Sequence, residues 1–120
     1  MGASHQAELV IQNYVQRIVQ GGHPLGVVLF GSHARGTANV NSDVDLLIIE
    51  EEPDTYHRRA IMYRQMLRPR TIPVDLLVLT PQEIRDGYNR KIPMLRDALK
   101  EGRWVYGNPR RVGLSDLSAG

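Results

Sequence analysis

Leu25-Gly26-Val27-Val28-Leu29-Phe30-Gly31-Ser32-His33-Ala34-Arg35-Gly36 and, after a short polar gap, Asp43-Val44-Asp45-Leu46-Leu47-Ile48-Ile49-Glu50 decide how this chain folds. The run Leu25 to Phe30 follows Pro24, is too brief for a helix and stops at Gly31, so it reads as a buried strand. Ser32 to Arg35 can make one helical turn behind it. Gly36 to Ser42 is small, polar and rich in Asn, a loop by composition. Asp43 to Glu50 is then a second strand, acidic where it starts and continuously apolar beyond, the pattern of a central strand with a polar mouth.

Outward from this pair the spacing gives helices. From Ala7 to Val19 the residues Leu9, Val10, Tyr14, Val15, Ile18 and Val19 recur at helical intervals until Gly21-Gly22. Pro53-Asp54 opens another helix, with Asp54 as its cap, running to about Leu67 and burying Ala60, Ile61, Tyr63, Met66 and Leu67. Val74 to Leu79 is a third strand, apolar except for Asp75. Thr80-Pro81 caps and starts a short helix to Gly87, and Ile92 to Glu101 forms a last one closed by Gly102. Trp104-Val105-Tyr106 adds a short strand or core anchor. The order indicates an α+β fold, a small mixed β-sheet with helices packed on one face. Residues 1–107 form one domain, and 108–120 read as a loose C-terminal tail.

The chain has 120 residues, 42% of them hydrophobic, enough for a single core and too few for a second domain of ordinary size. With no cysteine, thiolate metal sites, disulfides and cysteine nucleophiles are excluded, so any metal must use oxygen or imidazole ligands. No apolar stretch nears the ~20 residues of a membrane span and no signal peptide is visible, so a cytoplasmic location is expected. The net charge of +2 is too small for a dedicated nucleic-acid binder. Its layout is more telling: carboxylates concentrate at 43 to 54, and arginines gather at 58 to 70 and 103 to 111.

Asp43 and Asp45, two apart on a strand, project from one face with Cα atoms about 6 to 7 Å apart, a spacing at which two carboxylates converge on a hard cation such as Mg²⁺. Alone, such a pair is as well explained as a solvated strand end. Asp75 interrupts an apolar segment, where an ionised side chain needs a salt-bridge partner or a cation. If its strand lies beside that of Asp43, three carboxylates share one end of the sheet, and their repulsion calls for divalent metal. Gly31-Ser32, opening a helical turn, offers backbone amides and a hydroxyl to a phosphate, or is simply a strand-ending glycine with a serine cap. Arg35 either reaches a triphosphate or, as its simpler role, ties the loop to a carboxylate such as Asp43. His5, His23, His33 and His57 lack ligand spacing and receive no role. Arg58, Arg59, Arg64, Arg68 and Arg70 read first as a solvated helix face, with a partner or nucleic-acid surface left open.

Together, Gly31-Ser32-His33-Ala34-Arg35-Gly36, Ser42-Asp43-Val44-Asp45-Leu46 and Val74-Asp75-Leu76 resemble the DNA polymerase β-type nucleotidyltransferase superfamily, and most closely its minimal, MntA-like antitoxin members. The resemblance runs from the first helix to Tyr106 with all three blocks in order. It implies a magnesium-dependent transfer of a nucleoside monophosphate, with ATP the expected NTP and two Mg²⁺ ions on Asp43, Asp45 and Asp75, the three catalytic residues. Gly31 and Ser32 would bind the nucleotide phosphates. Larger relatives carry a helical domain that this chain ends too soon to form. The resemblance therefore implies a HEPN-type helical toxin in trans, with a tyrosine hydroxyl as AMP acceptor, and leaves self-association open. Two rival readings stand beside it: a non-catalytic module that covers its partner, and a small-molecule, aminoglycoside-like adenylyltransferase.

Overall fold

The computed structural model describes residues 5–51 and 56–118. Its elements are α1 (His5–Gly22), β1 (Gly26–Phe30), α2 (Ser32–Arg35), β2 (Val44–Ile49), α3 (Tyr56–Met66), β3 (Val74–Leu79), α4 (Pro81–Asn89), α5 (Pro93–Glu101), β4 (Arg103–Tyr106) and α6 (Ser115–Ser118). The expected cap of α3 at Pro53-Asp54 lies outside the described residues. The strands form one sheet in the order β3-β2-β1-β4. β1 runs antiparallel to both β2 and β4, whereas β2 and β3 are parallel, so the sheet is mixed as expected. The α3 crossover is what permits the parallel pair.

Because side chains alternate along a strand, the apolar runs supply two faces. Val27, Leu29, Val44, Leu46, Ile48, Leu76 and Val78 pack with Ile11, Tyr14 and Ile18 of α1 and with Ala60, Tyr63 and Leu67 of the α3 side. Val28, Leu47 and Ile49 pack with Ile84 of α4, Ala98 and Leu99 of α5, and Val112, Leu114 and Leu117. Helices therefore cover both faces rather than one. The reason is visible in β2: its apolar residues are consecutive, so both parities need a cover.

Two further expectations change. The segment after Asn108 is not loose up to residue 118: Val112, Leu114 and Leu117 are buried, and Arg85 reaches across to the Gly113 carbonyl at 2.9 Å and to both Asp116 oxygens at 2.8 and 3.0 Å. Residues spaced 112, 114, 117 have neither helical nor strand period, which is why the pattern looked like tail. On α3 the buried face is Arg59, Ala60 and Tyr63, continuing to Leu67, while Ile61 is exposed. Positions 59, 60, 63 and 67 share one helical face, and position 61 falls on the opposite side of the helix, so it points outward. Thr80 behaves as read: its hydroxyl accepts from the Glu83 amide at 3.1 Å and Glu83 accepts from the Thr80 amide at 2.8 Å, closing a capping box.

Candidate active site

The parallel ladder sets Asp45 opposite Asp75, and the antiparallel one sets Asp45 opposite Phe30, one residue before Gly31. Paired positions on neighbouring strands lie about 4.8 Å apart with side chains on the same face. The Val44 amide donates to the Pro73 carbonyl at 2.9 Å, so the two strands are already joined where the acidic residues begin. Three expected carboxylates are thus gathered at one end of the sheet. Asp45 is half-buried; Asp43 and Asp75 are exposed.

Asp75 accordingly does not sit in an apolar interior, as its neighbours suggested. It lies at the mouth of an edge strand, where the carboxylate reaches water. Asp45 carries the strain: its pKa is pushed up to about 6, first by burial, then by the charges of Asp75 and Asp43 and by hydrogen bonding with Asp75, against a downward pull from His33. None of the ion pairs among the described residues involves these three aspartates. Among the described residues no group of three His, Asp or Glu side chains stands as a set that could hold a metal ion. The chemistry of the donors is nonetheless of the kind a hard divalent cation takes: all are oxygens, and Asp43 and Asp75 are open to the water and phosphate oxygens that Mg²⁺ retains. A cation between them would relieve the repulsion that raises Asp45.

Gly31 has φ 74 and ψ −157, and a Cβ built there would run into the Asp45 carboxylate. Only glycine lets the turn close against that side chain. The Gly31 carbonyl accepts from the amides of Ala34 and Arg35, both at 3.1 Å, and Ser32 starts α2, where the first amides have no partner within the helix. Because α2 is a single turn, its dipole adds little; the site offers individual N–H groups and the Ser32 hydroxyl instead. Gly36, left-handed at φ 75, ends the turn.

Arg35 does not tie the loop to Asp43. It lies 3.9 Å from Glu101 of α5, with both side chains about half exposed, a contact that water and salt weaken and that leaves the guanidinium able to swing. Arg59 is not part of a solvated face: it is buried and 3.3 Å from Glu83, at the opposite end of the sheet from the aspartates. His33, given no role from its spacing, does belong to the site. It is buried, its Nε2 lies 3.3 Å from the Ser42 carbonyl, and it is close enough to Asp45 to influence that carboxyl. Only its place inside the Gly-Ser-x-Ala-Arg-Gly block could have flagged it.

Comparison with known proteins meets this geometry. A comparison with curated protein sequences gives no match. Among solved structures, a toxin-antitoxin with AMP-PNP is similar at 18% identity and TM-score 0.64, over 90% of this chain and 81% of that one. The MntA-HepT toxin-antitoxin is similar at 16% identity and TM-score 0.59, over 93% and 80%. A Sulfolobus solfataricus protein described as a nucleotidyltransferase is similar at 21% identity and TM-score 0.54, over 80% and 76%. At these identities the likeness is one of fold. The family model for the nucleotidyltransferase domain matches residues 11–105. That span runs from α1 into β4 and takes in every strand that carries the acidic end of the sheet, so the chain belongs to the nucleotidyltransferase domain family.

Proposed function

We propose that this nucleotidyltransferase moves AMP from ATP, in the presence of Mg²⁺, onto a tyrosine hydroxyl of a HEPN-type helical toxin, and so serves as the antitoxin of a pair. The observation that carries the reading is the pairing of Asp45 with Asp75 directly against the Gly31 turn. The fold likeness to toxin-antitoxin structures, one of them with AMP-PNP, supports the choice of partner and nucleotide.

In this reading Asp43, Asp45 and Asp75 would hold two Mg²⁺ ions, whose charge would stabilise the phosphate oxygens and acidify the acceptor hydroxyl. Gly31 gives the triphosphate a close backbone approach, and Ser32 donates its hydroxyl to the terminal phosphates. The acceptor oxygen attacks the α-phosphorus in line; the new O–P bond forms as the bond to the β-phosphate oxygen breaks, and pyrophosphate leaves. Asp75, exposed at the edge, accepts the proton of the hydroxyl. Most of the rate comes from positioning and electrostatics. The test is to incubate the co-expressed toxin with the chain, ATP and Mg²⁺ and to look for an AMP adduct on tyrosine by mass spectrometry. No adduct with the native chain, or an equal adduct with Asp43→Asn, would overturn the proposal.

A further inference from the structure

We infer that His33 is a positioning residue, a clasp that locks the nucleotide turn to the start of the carboxylate strand; the inference rests on the reading of this site as a nucleotidyl-transfer centre. The loop between the two motif blocks is fastened to α2 at both ends. At its near end the Thr37 amide donates to the Ser32 carbonyl at 3.0 Å. At its far end the His33 ring meets the Ser42 carbonyl through Nε2 at 3.3 Å. Between them the Asn39 amide donates to the Ser42 hydroxyl at 2.9 Å, and the Ser42 amide to the Asn39 carbonyl at 3.0 Å. The loop is therefore a closed unit, and the His33 ring is the link that passes from α2 directly to the residue before Asp43.

A carbonyl only accepts, so the Nε2 that meets it must carry a proton. Nδ1 is buried and has no hydrogen-bond partner among the described residues. Buried polar atoms are normally satisfied, and an apolar side chain of equal size would fill the space with no orphan. The ring is thus retained for its Nε2–H, whose acceptor is the backbone next to Asp43. Through it, the geometry of Gly31 and Ser32 sets where Asp43 and Asp45 stand, so that phosphate and carboxylates meet in register.

The test compares His33→Leu, which keeps bulk and loses the donor, with His33→Gln, whose side-chain amide can donate from nearly the same place. Amide hydrogen exchange is read at Ser42 and at Val44, whose N–H groups bond Asn39 and Pro73. In the free protein His33→Leu should speed exchange at these two amides about tenfold and leave the β1 and β2 interior unchanged, with His33→Gln restoring protection. In the transfer assay His33→Leu should lower kcat about tenfold at unchanged KM for ATP, and His33→Gln should recover most of it. Unchanged exchange in His33→Leu, uniformly faster exchange across the sheet, or no recovery in His33→Gln would overturn the clasp. If the native chain transfers nothing, the nucleotidyl-transfer reading fails, while the exchange data still judge the clasp by themselves.

Discussion

Acidic residues stand near both ends of the β2–β3 pair, and the two ends treat them in opposite ways. At the far end, the Tyr63 hydroxyl donates to Glu50, and buried Arg59 stands 3.3 Å from Glu83. Burial raises the Glu50 carboxyl, and Arg59 pulls it back. At Glu83 burial also acts upward, but hydrogen bonds from Thr80 and Arg59 outweigh it and hold the carboxyl below its usual range. At the near end Asp43, Asp45 and Asp75 face one another without an ion pair, and Asp45 is pushed up to about 6. One end has its counter-charge built into the chain; at the other, none of the described residues forms an ion pair with the aspartates. Perturbed carboxylates alone do not mark a functional site, since both ends have them. What sets the near end apart is perturbation with no ion pair among the described residues to answer it.

Breaking either end should expose the difference. The largest effect belongs to the near end: Asp43→Asn or Asp45→Asn should cut nucleotidyl transfer about a thousandfold, read as pyrophosphate release, while the protein stays folded. At the far end Arg59→Met should leave activity to the fraction still folded but cost about 2 kcal/mol in urea unfolding, because it removes a charged hydrogen-bond donor whose partner Glu83 is half exposed and is partly rehydrated without it. Gly31→Ala comes next, at about 2 kcal/mol together with loss of nucleotide binding, since a left-handed backbone and a collision with Asp45 are added in one step.

The smallest effect has an unusual sign. The native state holds the Asp45 proton more tightly than the unfolded chain does, so this group favours folding below its ordinary value of 3.8, and that contribution is lost as pH rises to about 6. Asp45→Asn should therefore stabilise the metal-free protein at pH 7, by about 1 kcal/mol once solvent screening of a half-buried group is discounted, and show no gain at pH 4. Thermal melts of both forms at the two pH values in a chelator check it. An Asn variant less stable than native at pH 7 would show that the carboxylates are not in conflict.

The sequence made the near end far more legible than the far one, for physical reasons. Strand residues two apart share a face, so Asp43 and Asp45 could be placed together by counting, and Asp75 stood out as the one carboxylate of β3, although its apolar neighbours suggested an interior position rather than the strand mouth it occupies. Glycine before a serine at a strand end is a local signal as well. Arg59 is different: its burial depends on Glu50 and Glu83 arriving from two other elements, and no local spacing encodes that. The same holds for His33, whose acceptor is a backbone carbonyl and so leaves no trace in residue type. The need for a second cover was written in the consecutive apolar residues of β2, but the packing of Val112, Leu114 and Leu117 against that face was hidden, because their spacing has neither helical nor strand period.

A divalent cation should go to one end of these strands and not to the other. Mn²⁺ titration followed by amide line broadening in NMR spectra tests this directly, because broadening falls off steeply with distance from the ion. With ATP present, the signals of Gly31, Ser32, Asp43, Asp45 and Asp75 should vanish at sub-stoichiometric Mn²⁺ while those of Glu50 and Glu83 persist. Broadening centred on Glu50 and Glu83, or none at Asp45 and Asp75, would rule out a metal site among the three aspartates.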